Sequence, residues 1–314
     1  MDTSGGRFIE GNYRHVPVFH DEVIYWLNPE QAQVLVDGTV GYGGHAESLL
    51  RKMGGEATLV GIDRDEDALT ACRSRLAIFG RRVVLLKGDF VDVKPMLQNV
   101  GIQSVDGVLF DLGVSSPQLD DPQRGFIFQT DGPLDMRMDR AGVRTAAQLV
   151  NTLPEAELAD MIFQYGEERF SRRIARAIIQ ARGQKALETT QELVAVIKGA
   201  VPAAYRHGRI HCATRTFQAL RIAVNRELDV IAPAIRDAVE VLRPGGRIAV
   251  ISFHSLEDRI VKHTLRALTE EPHPHVRVLT KKPQVPSEAE CQGNPRARSA
   301  KLRVAERLPK ECVQ

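Results

Sequence analysis

Four carboxylates recur through the first third of the chain: Asp37, Asp63, Asp89 and Asp111. Each stands at or just beyond the end of a short apolar run. Behind the first comes Gly41-x-Gly43-x-x-Ala46, glycines followed at once by a helical pattern. Glycines remove side chains where a backbone must approach a ligand, and a helix start offers free N–H groups. Asp63 follows about 20 residues on, the spacing at which a carboxylate holds ribose hydroxyls. Asp37 separates two ligands that share this much. A pyrophosphate is repelled by a carboxylate at the loop entrance, whereas S-adenosylmethionine carries an ammonium and a sulfonium and is attracted. Asp89, in KGDF, is placed to accept from an adenine amine, with Phe90 against the ring. Asp111 falls where the methionine part and a methyl acceptor should meet. One such acid alone is more often a helix cap. Four at successive strand ends point to a polar ligand.

The elements that must carry these acids alternate. Strands are expected at Val34–Val36, Thr58–Ile62, Arg82–Leu86 and Val105–Phe110, with helices at Ala46–Lys52 and Asp67–Phe79. That alternation predicts a parallel sheet covered by helices, with the ligand beyond the carboxyl ends of the strands. Gly113–Asp139, rich in Ser, Pro, Asp and Gly, is expected to be a long ordered loop. A strand-free block follows, with helices at Thr145–Leu153, Glu155–Tyr165, Arg169–Arg182 and Thr190–Ala200; Thr189 and Glu192 fit a capping box. One long helix is expected over Thr214–Ile231 and another over Pro233–Leu242. A turn at Arg243–Gly246 then leads to a strand at Arg247–Ser252, and KLRVAERL ends the tail as a strand. The simplest account is one α/β domain interrupted by helices: 1–117 as its first part, 118–208 as a helical insert for substrate recognition, and 209–314 as its second part with a basic tail.

The bulk numbers exclude some classes. Of 314 residues, 43% are hydrophobic, enough for a substantial core. The N-terminus has no secretory core and no apolar run is long enough to span a bilayer. Cys72, Cys212, Cys291 and Cys312 form no CxxC pair, which argues against zinc or a disulfide framework and for a reducing, cytoplasmic setting. No metal is expected. His207 and His211 would share a helix face, but no third ligand stands nearby.

Eight strings carry a resemblance. HVPV (His15–Val18), DGTVGYGGHA (Asp37–Ala46), GIDRD (Gly61–Asp65), DLGVSSPQLD (Asp111–Asp120), RGFIF (Arg124–Phe128), DGPLDMRMD (Asp131–Asp139), RPGGRIAVISFHSLEDR (Arg243–Arg259) and NPRARSAKLRVAER (Asn294–Arg307) resemble the bacterial small-subunit rRNA cytosine-N4 methyltransferases of the MraW type. Only the segment through Tyr13 lies outside the resemblance, and it reads as a disordered leader. The resemblance implies a class I, Rossmann-like S-adenosylmethionine-dependent methyltransferase with an inserted all-helical domain. It implies methylation of the exocyclic amine of a cytidine in the decoding region. It also implies cofactor contacts at Gly43, Gly44, His45, Asp63, Phe90, Asp111 and Gln118, beside Asp37, Gly41 and Asp89 from the residue pattern.

In-line methyl transfer needs positioning and an acceptor for the amine proton. Amino-methyltransferases often supply an (Asp/Asn/Ser)-Pro-Pro-aromatic loop at the fourth strand; here DLGVSSPQLD has one proline and no aromatic. Asp111 is the candidate catalytic acceptor. Phe126, Phe128 or Phe253 could stack on a base, although core packing is the commoner fate of such residues. His254 falls either in the acceptor pocket or in a structural hydrogen bond. Cys212 reads as a small core side chain.

Basic residues are segregated. Ala203–Arg226 carries Arg206, Arg209, Arg215, Arg221 and Arg226 and no acid. The Arg169–Arg182 helix aligns Arg169, Arg172, Arg173 and Arg176, and the tail adds Lys281, Lys282, Arg296, Arg298, Lys301 and Arg303. In a chain of net charge +2 this segregation suggests a phosphate-binding surface. The implied partner is small-subunit rRNA or the assembled subunit, with no membrane, and the insert could join two copies of the chain.

Overall fold

The computed structural model describes residues 17–270 and 275–309. The leader through Tyr13, His15 and Val16 of HVPV, and Cys312 lie outside the described residues. Strands β1 (Val34–Asp37), β2 (Thr58–Asp63), β3 (Val83–Lys87), β4 (Val105–Asp111), β5 (Leu242–Ser252), β6 (Val276–Val278) and β7 (Lys301–Arg307) form one sheet in the order 3-2-1-4-5-7-6. The pairs β3–β2, β2–β1, β1–β4 and β4–β5 are parallel. β7 runs antiparallel to both β5 and β6. The central strands are apolar without alternation because both faces are covered. The chain winds outward from β1 to β3, then crosses back to place β4 on the other side of β1. That reversal opens a crevice at the carboxyl ends of β1 and β4.

One face carries α1 (His20–Leu27), α2 (Gly44–Lys52) and α3 (Glu66–Leu76), whose Leu27, Leu49 and Leu69 pack on Leu35, Leu59 and Leu109. After α4 (Val93–Asn99) and β4, the expected loop contains a short helix, α5 (Ser116–Asp120). Ser115 and Gln118 form its capping box. Then come α6 (Ala146–Thr152), α7 (Glu155–Gly166), α8 (Ser171–Arg182), α9 (Thr190–Ala200), α10 (Ala203–Arg206) and α11 (Thr214–Asn225). The capping box at Thr189 and Glu192 is present. α12 (Ile231–Val241) and α13 (Ser255–Glu270) join α4 on the second face of the sheet. A last helix, α14 (Glu288–Gly293), precedes β7.

Three expectations are corrected. The long helix over Thr214–Ile231 breaks at Arg226, which is left-handed at φ 53°, and resumes as α12. The RPGG turn is a bulge inside β5: Val105 pairs with Leu242 and Gly107 with Arg247, so four residues loop out opposite Asp106. Lys301 and Arg303 of β7 point at Asp258 (2.9 and 2.7 Å) rather than toward a free basic surface.

The helical block has its own apolar core, drawn from residues between Phe126 and Leu220. It therefore includes Phe217 and Leu220 of α11, beyond position 208. Two polar fastenings brace it, one within the block and one to the end of β2. Asn225 accepts from the Met138 amide at 2.8 Å and donates to the Met136 carbonyl at 2.7 Å, holding the DMRM segment in place. Arg124, buried, pairs with buried Asp65 at 2.9 Å and donates to the carbonyls of Arg137 and Met138. Removing one partner strands a charge out of water. Arg124→Ala is expected to lower unfolding free energy by about 3–5 kcal/mol, read by urea unfolding. A loss under about 1 kcal/mol would show that water reaches Asp65.

Candidate active site

A cleft of about 1000 Å³ opens where the topology requires it. Its walls are the β1–α2 loop, the ends of β2 and β4, the β4–α5 loop, the β5–α13 turn and the segment Asn294–Ser299. The glycine loop reaches it through backbone geometry. Gly41 and Gly43 have φ of +49° and +80°, so side chains would strain both. A side chain at Gly43 would also press on Cys72 Sγ.

The expected acids sort into two kinds. Asp37, Asp63 and Asp111 converge on the cleft. Asp37 is 1% exposed, and burial pushes its carboxyl up to about 7 against the hydrogen bond from the Thr39 amide. Asp63 accepts from the amides of Gly41 and Asp65, both at 2.8 Å, and burial raises its pKa as well. Each of its oxygens keeps a lone pair for a hydroxyl donor. Asp111 receives no hydrogen bond at Oδ1; burial first, then the charges of Asp37 and Glu257, hold its carboxyl well above the usual range. Asp89 is different. It caps the turn at Phe90–Asp92 and faces Arg64 at 3.2 Å, while its neighbours Gly88 and Phe90 line the cleft.

His45 stands 3.8 Å from Asp111, with its Nε2 buried and unpartnered. Burial, then the nearby His20, push it down to about 3, so its ring is neutral and the contact is no ion pair. Gln118 lines the cleft but spends its amide on the fold: it donates to Asp65 at 2.7 Å and accepts from Ser115 at 3.0 Å. Phe253 lines the cleft; Phe126 is buried in the helical core, and Phe128 packs on His211 and Phe217. Cys212 is buried in that core too. His207 and His211 share no helix, since α10 ends at Arg206 and the chain is irregular until α11.

Two cleft residues, Glu227 and Glu257, escaped the sequence reading, and Arg221 takes a different role from the one expected. Arg221 pairs with buried Glu227 through two bonds of 3.0 and 2.9 Å, so it is no surface cation. Glu257, 1% exposed, accepts from the amides of Phe253 and His254. Glu227, His254 and Glu257 bring ligand atoms within 4.8 Å of one another, a metal-like spacing, but both Glu227 oxygens are engaged by Arg221. For Glu257 the sequence signal was its spacing from His254 in SFHSLEDR, one helical turn apart.

The basic residues partly converge. Arg172, Arg173, Arg176, Arg206, Arg209 and Arg298 are exposed. Arg169 lies over the rings of Phe170 and Tyr205 at 4.8 and 4.9 Å, which joins the start of α8 to α10. Arg215 donates to the Glu167 carbonyl, and Arg296 pairs with Asp120 at 2.5 Å on the rim of the cleft.

Buried acids and unfilled polar atoms beside a glycine loop, at the switch point of this sheet, define a class I, Rossmann-like S-adenosylmethionine-dependent methyltransferase. The chain belongs to the MraW methylase family, whose model matches residues 12–308. It is 49% identical over 310 residues to a ribosomal RNA small subunit methyltransferase H of Geobacter sp. (strain M21), covering 95% of this chain and 99% of that protein. It is 50% identical over 297 residues to a protein of the same name from Synechococcus elongatus, covering 95% and 96%. Among the described residues no helix is long and apolar enough to cross a membrane.

The site stores an electrostatic cost. Asp37 titrates near 3.8 unfolded and near 7 folded, so the folded chain binds the extra proton between those values. Its contribution to stability is intact below about pH 4 and is lost as pH rises to 7. Asp37→Asn should therefore melt above the parent protein at pH 8 without ligand, with the gap shrinking toward pH 4. An equal gap at both pH values, followed by differential scanning fluorimetry, would show that Asp37 is not the source.

Proposed function

We propose that this chain transfers a methyl group from S-adenosylmethionine to the exocyclic N4 amine of a cytidine in the decoding region of small-subunit ribosomal RNA. One observation carries the reading. Asp111 Oδ1 and His45 Nε2 are buried without partners at the switch point, between carboxylates too crowded for an anionic ligand. A bound cation with hydrogen-bonding groups satisfies them; a pyrophosphate does not.

In this reading the donor lies across the ends of β1, β2 and β4. Asp37 and Asp111 face its positive groups, Asp63 takes ribose hydroxyls, and Phe90 offers an apolar face to the adenine. Gly41, Gly43 and Gly44 allow close backbone approach, and His45 hydrogen-bonds from the start of α2. Gln118 acts from behind, fixing the β4–α5 loop to Asp65, and Asp89 does the same for the turn bearing Phe90. Bound S-adenosylmethionine supplies a methyl group on a cationic sulfur, already activated as an electrophile. The chain's task is to orient the amine and hold its proton. A cytosine amine is a weak nucleophile because its lone pair is delocalised into the ring. Asp111 Oδ1, accepting from its N–H, draws the nitrogen toward a reactive geometry, and its raised pKa suits it to hold the proton afterwards. The exposed arginines of α8 and of the segment 206–215, with Arg296 and Arg298, supply a basic surface for the phosphates. The assembled small subunit is the larger partner this surface would meet.

Two outcomes follow. A strain lacking the gene should lose N4-methylcytidine from its small-subunit rRNA by nucleoside mass analysis, and the wild-type chain should restore it. Asp111→Asn should lower kcat by about 10²–10⁴; undiminished turnover would remove Asp111 from the mechanism. Separately, Arg172→Ala with Arg173→Ala should weaken RNA binding and reduce the slope of log Kd against log salt by about 1 per arginine. Donor affinity should be unchanged. An unaltered salt slope would place the phosphates elsewhere.

A further inference from the structure

Five buried side-chain atoms lack a hydrogen-bond partner among the described residues, and four of them belong to residues lining one cleft: His45, Asp111, His254 and Asn294. A native fold leaves few such groups unmet, so this concentration marks where ligand atoms belong. His45 is accounted for by the methyl donor and Asp111 Oδ1 by the acceptor amine. His254 is not. It lies beyond β5, which pairs with β4 so that Asp111 stands opposite Ile251. The Asp111 end of the cleft and the turn starting at Phe253 are thus ends of adjacent strands.

The proton on His254 can be placed. Its Nδ1 accepts from the Glu257 amide at 3.3 Å. An amide N–H meets only an unprotonated ring nitrogen, so the neutral ring carries its hydrogen on Nε2. Glu257 fixes the turn further, since its Oε2 accepts from the amides of Phe253 and His254 at 2.8 and 3.3 Å. Its Oε1 lies 3.3 Å from Nε2 in a long contact without hydrogen-bond alignment, one that an acceptor on a bound base can displace. Beside Asp111 Oδ1, an acceptor, the cleft therefore presents a donor on the neighbouring strand end.

We infer that His254 Nε2–H reads the ring nitrogen N3 of the target pyrimidine and so selects cytosine over uracil. The inference rests on the methyl-transfer reading above and assigns the selectivity within it. Cytosine carries an amine donor next to an N3 acceptor, matching Asp111 and His254 in turn. Uracil presents a carbonyl acceptor next to an N3–H donor, so both contacts would be mismatched, donor against donor at N3. Rejection of this kind is strong because the site's polar groups would be left unpaired.

The test is a chemical double-mutant cycle with small-subunit RNA fragments carrying cytidine or 3-deazacytidine at the target. The analogue keeps the amine and replaces N3 by a C–H. Wild-type, His254→Phe and His254→Gln chains are compared on both RNAs. Intrinsic reactivity differences between the two bases cancel when the cytidine-to-analogue ratio is compared between proteins. The wild-type ratio in kcat/KM should exceed the His254→Phe ratio by about tenfold or more, and His254→Gln, which keeps a donor near Nε2, should recover part of it. A merely structural role would slow both RNAs equally and leave the ratio at the wild-type value, which would overturn the inference. Competition binding reads the same ratio where turnover is too slow, with donor-induced melting shifts showing that the variants are folded. Absence of methyl transfer by the wild-type chain to the cytidine RNA would instead count against the methyl-transfer reading itself.

Discussion

The constraint on which the rest depends is that carboxylates are crowded together and drawn wholly or partly out of water at the tips of adjacent parallel strands. Asp37 and Asp111 end β1 and β4, which are hydrogen-bonded neighbours at the reversal of strand order. Their placement costs stability in the free protein, since burial opposes charging each of them. A cationic ligand offsets that cost on binding. The acids are therefore positioned to ionise as a cation arrives. The same crowding disfavours anions, which a dinucleotide-binding loop of similar glycine spacing would welcome.

Around this centre, polar side chains serve two ends. Some face the cleft with atoms left over. Others are fully spent on holding those in place: Gln118 and Arg124 share Asp65, Asp89 and Arg64 pair, and Arg64 also donates to the Asn225 carbonyl at the end of α11. Through Asp65 and Asn225, the β2–α3 turn, the β4–α5 loop and the helical block are linked by buried or half-buried hydrogen bonds. Local loss at Arg124 or Asn225 would loosen the wall of the cleft without touching a ligand. Such supporting bonds are what hold a binding geometry to sub-ångström tolerance.

The helical block brings charge to a nearly neutral molecule. Its apolar side is satisfied internally by residues from α6 to α11, while the arginines of α8 stay in water. The cation–π contacts of Arg169 with Phe170 and Tyr205 join two basic stretches that are far apart in sequence.

The primary structure alone determined the alternation of β1–β4 with helices, the glycine loop, the acids at strand ends and the capping box at Thr189. These signals are local: periodicity, spacing and side-chain chemistry within a few residues. The strings that carry the family resemblance were equally legible. Only the tertiary structure decided which polar residues face the cleft. Asp37 and Asp89 look alike in sequence, yet one is buried against the site and the other turns to Arg64. Arg221 reads as a surface base, yet it neutralises Glu227 inside the protein. The break at Arg226, the bulge at Arg243–Gly246 and the tautomer of His254 likewise come from contacts between distant segments. The reason is physical: burial, pairing and hydrogen-bond direction belong to neighbours in space, and no window of sequence contains them.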